Sequence, residues 1–148
     1  RTLTTRTDAS VQIVVADSTT YRIVPELVVP CGVKDVNFWT LHIEQAGIAA
    51  WSTRKWLERF KTIQRAAYWT AGWMYKYQIP NKYLTTEDID GGRRQGWTTH
   101  NNLSLSSISS STHTDPGKGW PRQKFEALVI FYLLGFRLFD GPKPREAA

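Results

Sequence analysis

Five side chains in this sequence have the types that metal-assisted hydrolysis needs: His42, Glu44, His100, His113 and Asp115. Imidazole nitrogen and carboxylate oxygen both bind zinc at about 2.0–2.2 Å, and a catalytic zinc site uses three protein ligands with one position left open. His100 closes the short segment Gly96-Trp97-Thr98-Thr99-His100, and the run Thr112-His113-Thr114-Asp115-Pro116-Gly117 follows. A carboxylate next to a Pro-Gly turn is held in a restricted backbone. His100 and Asp115 therefore form half of a zinc site, or each is an ordinary surface or hydrogen-bonded residue. Spacing alone leaves both readings open. Glu44 ends the segment Phe38-Trp39-Thr40-Leu41-His42-Ile43-Glu44. A strand period of two puts His42 and Glu44 on one face and Ile43 on the other. Glu44 is then either a strand-end surface charge or a general base at the sheet edge.

These groups must be carried by a small set of elements. Val11 to Val15 is β-branched and predicts a strand. Ala16 to Thr20 predicts a turn, and Tyr21 to Val24 the returning strand of a hairpin. Pro25 and Pro30 predict a loop to Val36, and Phe38 to Gln45 a further strand. Ser52 or Thr53 caps a long helix running to about Gln78, before Ile79-Pro80. Its apolar stripe is Trp56, Phe60, Ile63, Ala67, Ala71 and Met74. Thr85 to Asp88 has capping-box spacing and predicts a short helix ending at Gly91-Gly92. Trp97 to His100 reads as a short strand and Asn101 to Thr114 as a loop. Pro121 opens a last helix to about Leu134, with Phe125, Leu128, Val129 and Tyr132 apolar. Residues 141–148 read as a linker stub. The predicted fold class is α/β: one domain, residues 1–140, built on a central sheet flanked by helices.

Composition narrows the function classes. A chain of 148 residues that is 41% hydrophobic builds one core and is not disordered throughout. A net charge of +6 is a mild basic bias that suits nucleic acid, anionic membranes or anionic cell-wall polymers. Charge is all that supports nucleic acid, since no Gly-rich phosphate loop, serine-protease arrangement or paired-cysteine finger is present. The lone Cys31 excludes a disulfide framework and a multi-cysteine zinc cage, and reads as a buried small residue. The longest apolar run, Ala127 to Phe136, is about half a bilayer span, so no membrane span is expected. The polar start shows no signal peptide. Seven tryptophans favour stacking surfaces, although core packing explains most aromatic residues. Trp39, Trp97 and Trp120 either line a sugar- or peptide-binding groove or pack in the core or its rim. Arg93 and Arg94 either contact substrate carboxylates or form a solvated charge pair.

Taken in order, the segments from Asp8 to Phe125 resemble the N-acetylmuramoyl-L-alanine amidase family of the peptidoglycan-recognition-protein type, also called the type 2 amidase fold. The resemblance is nearest to amidase domains of actinobacteriophage endolysins. It rests on VQIVVADSTTYRIVPE, a hairpin ending in Val-Pro, and on NFWTLHIEQAG, an Asn before an Ile-Glu-x-x-Gly strand end. Tyr77 to Pro80, GWTTHNN and THTDPGKGWP complete it. It implies a zinc-dependent peptidoglycan hydrolase that cuts the amide between N-acetylmuramic acid and L-alanine. His100 and Asp115 match zinc ligands. Glu44 matches the acid that assists the attacking water, and His113 stands where other members carry a group that stabilises the oxyanion. Trp97, Asn101, Arg94 and Trp120 are the expected substrate-contacting residues. The resemblance also implies fusion to other endolysin domains, synthesis in the host cytoplasm without a signal peptide, and action on the wall after release.

The sequence departs from the family at one ligand. The family's first zinc histidine lies on an early strand, and no histidine stands before His42. Either the chain lacks its N-terminal portion and first strand, which the start at Arg1 favours, or the zinc site is degenerate. His42 is a conceivable substitute. A degenerate site would leave a non-catalytic peptidoglycan-binding module of the same fold.

Overall fold

The computed structural model describes residues 9–139. The linker stub, and most of the polar start, lie outside that range. Three short strands form a mixed sheet in the order β2-β1-β3. Strand β1 (Ile13–Val15) pairs antiparallel with β2 (Thr20–Arg22) and parallel with β3 (Ile43–Gln45). The α/β expectation holds at this level: a small mixed sheet with helices against it. Ile13 and Val15 are buried against the helices, while Val14 and its register partner Glu44 point to the other face. Of the expected alternation over His42, Ile43 and Glu44, β3 contains only Ile43 and Glu44; His42 precedes the strand and is buried, while Glu44 is exposed.

Two long helices carry the core. Helix α2 (Phe60–Tyr77) and α5 (Arg122–Phe139) pack along one seam. Ile63, Ala67, Ala71 and Met74 meet Val129, Leu133 and Phe136 there. Alanines on α2 let the helices approach closely enough for the Phe136 ring to lie against Tyr68 and Tyr75. Three shorter helices complete the chain: α1 (Thr53–Leu57), α3 (Thr86–Asp90) and α4 (His100–Leu105). Thr85 and Asp88 make the expected capping box at α3.

Several boundaries differ from expectation. The predicted strand over 38–45 shrinks to Ile43–Gln45, because Lys34–Trp39 winds into a 3-10 turn. Asn37 Oδ1 accepts from the backbone N–H of Gly32 and Val33, at 3.2 and 2.8 Å, and this closes the chain on itself. The single helix over 53–78 is two. Ser52 caps α1 as expected, accepting from Lys55 N–H at 3.3 Å, but the helix breaks at Glu58-Arg59. The cause lies far away in sequence. Asp17, in the hairpin turn, accepts from Arg59 at 2.8 Å and from the Thr62 hydroxyl and N–H at 2.9 and 3.3 Å. It therefore supplies a start for α2 that the local sequence does not. Phe60, placed in the apolar stripe, is 37% exposed as a result of the break. Trp97–His100 is not a strand. Trp97 makes one isolated bridge to Tyr83, and His100 opens α4, where Thr99 Oγ1 accepts from Asn102 N–H. Part of the predicted 101–114 loop is thus helical. Helix α5 continues to Phe139, beyond Leu134, because Leu133 and Phe136 still find the α2 seam. Cys31 is exposed rather than buried, since its loop is tied to the surface through Ser10.

Candidate functional site

A cleft of about 450 Å³ opens where β3, the start of α4 and the 112–117 loop converge. His42, Glu44, His100 and Asp115 line it, with Trp39, Arg93 and Arg94. Two backbone contacts fix the depth of the loop. The Asn101 N–H donates to the Asp115 carbonyl at 3.0 Å, bringing the first turn of α4 against the loop. Gly117 has φ +84° and packs on the Ala49 backbone so closely that a Cβ would sit 1.9 Å from the Ala49 carbonyl oxygen. Only glycine meets both demands.

His100, His113 and Asp115 form the centre. Each offers one ligand atom, and the three atoms lie within 4.8 Å of one another. His100 Nδ1 is 3.4 Å from Asp115 Oδ2, and His113 Nδ1 is 3.5 Å from Asp115 Oδ1. Donors at about 2.1 Å from a tetrahedral ion stand about 3.4 Å apart. Each imidazole stands at that distance from a different Asp115 oxygen, so a small rotation of the carboxylate or of the exposed His113 ring closes the set on one zinc ion. The surroundings fit as well. His100 Nε2 is 2.7 Å from the buried Ser111 hydroxyl. With Nδ1 acting as a ligand, Nε2 carries the proton and donates to Ser111, the usual way a ligand imidazole is oriented. The His100 and His113 rings stack at 4.6 Å, tilted by only 10°. His113 is the more open of the two, 64% exposed against 13% for His100.

The electrostatics separate the two carboxylates. Burial pushes the Asp115 carboxyl up, but the hydrogen bond and charge of His100 outweigh it, and the carboxyl stays below its ordinary value. Glu44 goes the other way. Glu44 is exposed as a residue, yet protein atoms crowd its carboxyl where it lines the cleft. That burial, with Asp115 adding to it and His100 opposing, raises its pKa from 4.5 to about 7. A carboxyl near neutrality can both take and return a proton.

His42 lies outside the donor group. Burial, with the His100 charge adding to it, lowers its pKa from 6.5 to about 4. Its Nε2 is 2.6 Å from Thr40 Oγ1, and its buried Nδ1 has no hydrogen-bond partner. Gly32 packs on that nitrogen so closely that a Cβ would stand 2.4 Å away. The ring is a neutral piece of the cleft floor.

The expected substrate-contacting residues divide. Trp97 and Trp120 are 9% and 8% exposed, pack on Phe125, and donate their indole N–H to Asn81 and Gln45. Their rings are core and shape the cleft wall from behind. Asn101 contributes its backbone to the loop contact described above. Arg94 is exposed and lies over the Trp39 ring, 5.6 Å from its centroid, at the cleft rim. Trp39 is itself 64% exposed, so this pair is the part of the aromatic set open to a ligand. Arg93 instead pairs with Asp88 at 3.4 Å. Sequence reasoning did not find Ser111, because a serine in a Ser/Thr-rich run carries no signal of the imidazole it orients. It had His113 in view through its spacing from Asp115, but not as a donor in the same cluster as His100.

Compared with known protein families, curated proteins and solved structures, the chain matches none. Among the described residues, no helix is long and apolar enough to cross a membrane.

Proposed function

We propose that this chain is the zinc-dependent amidase domain of a peptidoglycan hydrolase, cleaving the amide between N-acetylmuramic acid and L-alanine. The observation that carries the reading is the convergence of His100, His113 and Asp115 within ligand reach of one another, with Glu44 on the same cleft floor. His100, His113 and Asp115 would hold the ion, and zinc, when bound, supplies Lewis-acid polarisation of the scissile carbonyl and a water of lowered pKa. Glu44 takes a proton from the attacking water and returns it to the departing amine, a role its raised pKa suits. Arg94 and Trp39 at the rim receive the carboxylate-bearing peptide or the sugar. The choice of bond rests on the resemblance of the sequence segments to that amidase family.

His113 has two exclusive roles. Its Nδ1 can be the third ligand, or the ring can swing to donate to the tetrahedral oxyanion, a contribution of about 3–4 kcal/mol where well placed. The cluster geometry favours the ligand. Under that reading His113→Ala loses zinc together with activity. A variant that keeps its zinc and loses only turnover assigns the oxyanion role instead.

The experiment is digestion of a soluble muropeptide, read as new L-alanine amino termini. Release that stops in chelator and returns with zinc supports the proposal. Release that persists in chelator refutes it. Binding to cell-wall polymer with no release favours the second reading, a non-catalytic module, which the missing early histidine permits.

A further inference from the structure

Helix α2 has two functional faces. Ala66, Thr70 and Trp73 look toward the cleft. On the opposite face, Lys61, Arg65, Tyr68 and Trp69 line a second, shallower groove of about 520 Å³, closed on one side by Tyr132 of α5. Helical geometry sets the two faces about half a turn apart, so one ligand cannot occupy both. No lining residue of this groove is acidic. Lys61 has no carboxylate partner among the described residues. Arg65 spends one N–H on the Asp17 carbonyl at 3.4 Å, while the Asp17 carboxylate is taken by Arg59 and Thr62. Arg22, from β2, lies over the Trp69 ring at 4.9 Å. Two cations, Lys61 and Arg65, therefore line an open groove with aromatic walls, and Arg22 stands beside it on the Trp69 ring.

The rings decide between polyanions. A nucleobase needs a free aromatic face on which to stack. Here Tyr68 meets Tyr132 edge to face at 5.5 Å and Trp69 at 6.2 Å, and Arg22 covers a face of Trp69. The groove adds the hydroxyls of Thr20, Tyr68 and Tyr132 and the cations of Lys61 and Arg65. Those match a hydroxylated chain with oxyanions spaced along it. We infer that this groove binds an anionic glycopolymer, a sugar or polyol chain bearing phosphodiester or carboxylate groups, at a site separate from the cleft. The inference stands whether or not the cleft is catalytic.

The test is calorimetric titration of the whole chain at low salt with three probes: poly(glycerol phosphate), polyglucuronate and oligothymidylate. Binding to at least one of the first two, weaker oligothymidylate binding, and a loss of about tenfold in the Lys61→Gln/Arg65→Gln double variant are expected. Which of the first two binds more tightly identifies the oxyanion. A second readout needs no variant: bound polymer should protect Lys61 from amine acetylation in the wild-type protein, scored by mass spectrometry. Failure of both glycopolymers to bind overturns the inference. So does oligothymidylate binding as tightly as either, a folded double variant with unchanged affinity, or Lys61 that is acetylated equally with and without polymer.

Discussion

The helix seam and the cleft loops are held together by different forces. Along α2 and α5, Ile63, Ala66, Ala67, Ala71 and Val129 have no exposed surface. Their cohesion is apolar contact, spread over many small gains. The loops around the cleft are tied by single polar bonds between distant residues. Asp35 Oδ2 accepts from both the N–H and the hydroxyl of Ser110, 75 residues away, at 2.8 Å each. Asp90 Oδ1 does the same for Ser107. An apolar seam tolerates small displacements, whereas one lost carboxylate frees a loop. The molecule thus sets the helix pair behind a site in which His100 opens α4 while His113 and Asp115 ride on a loop tethered by single polar bonds.

Removing a seam residue should cost the most. Phe136→Ala empties ring volume against Tyr68 and Tyr75, and a loss of about 3–5 kcal/mol is expected in denaturant unfolding. The zinc bound per folded chain should not change. A change there would mean that seam and site are not separable.

Glu44→Gln acts on the site and should barely disturb the seam. Turnover is expected to fall by about 10²–10⁴ while the protein stays folded. The same variant has a stability signature in metal-free protein. The folded-state pKa of Glu44 is raised, from 4.5 to about 7, so folding favours the protonated carboxyl. That stabilisation is complete below pH 4.5 and is lost as pH rises through about 7. Glutamine cannot ionise. The Tm of the variant minus that of the wild type should therefore climb between pH 4.5 and 7 and level off above. A flat difference would mean that Glu44 is not crowded on the cleft floor.

The smallest effect is expected at a tether. Asp35→Ala should speed amide hydrogen exchange across residues 107–113 and leave α2 and α5 protected. Equal acceleration in both regions would remove the distinction between them.

The same contrast explains what could be read in advance. The seam was legible because helical period places Ile63, Ala67, Ala71 and Met74 on one stripe. The hairpin and the α3 capping box are local patterns and were legible too. The break at Glu58-Arg59 was not, because its cause is Asp17, more than forty residues earlier in the chain. Glu44 and Asp115 could be named from their flanking turns, but not their opposite pKa shifts, which depend on who faces whom across the cleft. Cys31 and the depth of Trp97 and Trp120 likewise depend on which surface a loop or ring finally covers.

The central claim is that the three converging donors hold a metal ion. It is tested most directly by equilibrating the protein with zinc, removing unbound metal, and measuring zinc per chain by elemental analysis beside His100→Ala. The account predicts one zinc per wild-type chain and close to none in a His100→Ala variant whose circular dichroism is unchanged. A wild-type protein that retains no zinc, or a folded variant that retains as much, would contradict it.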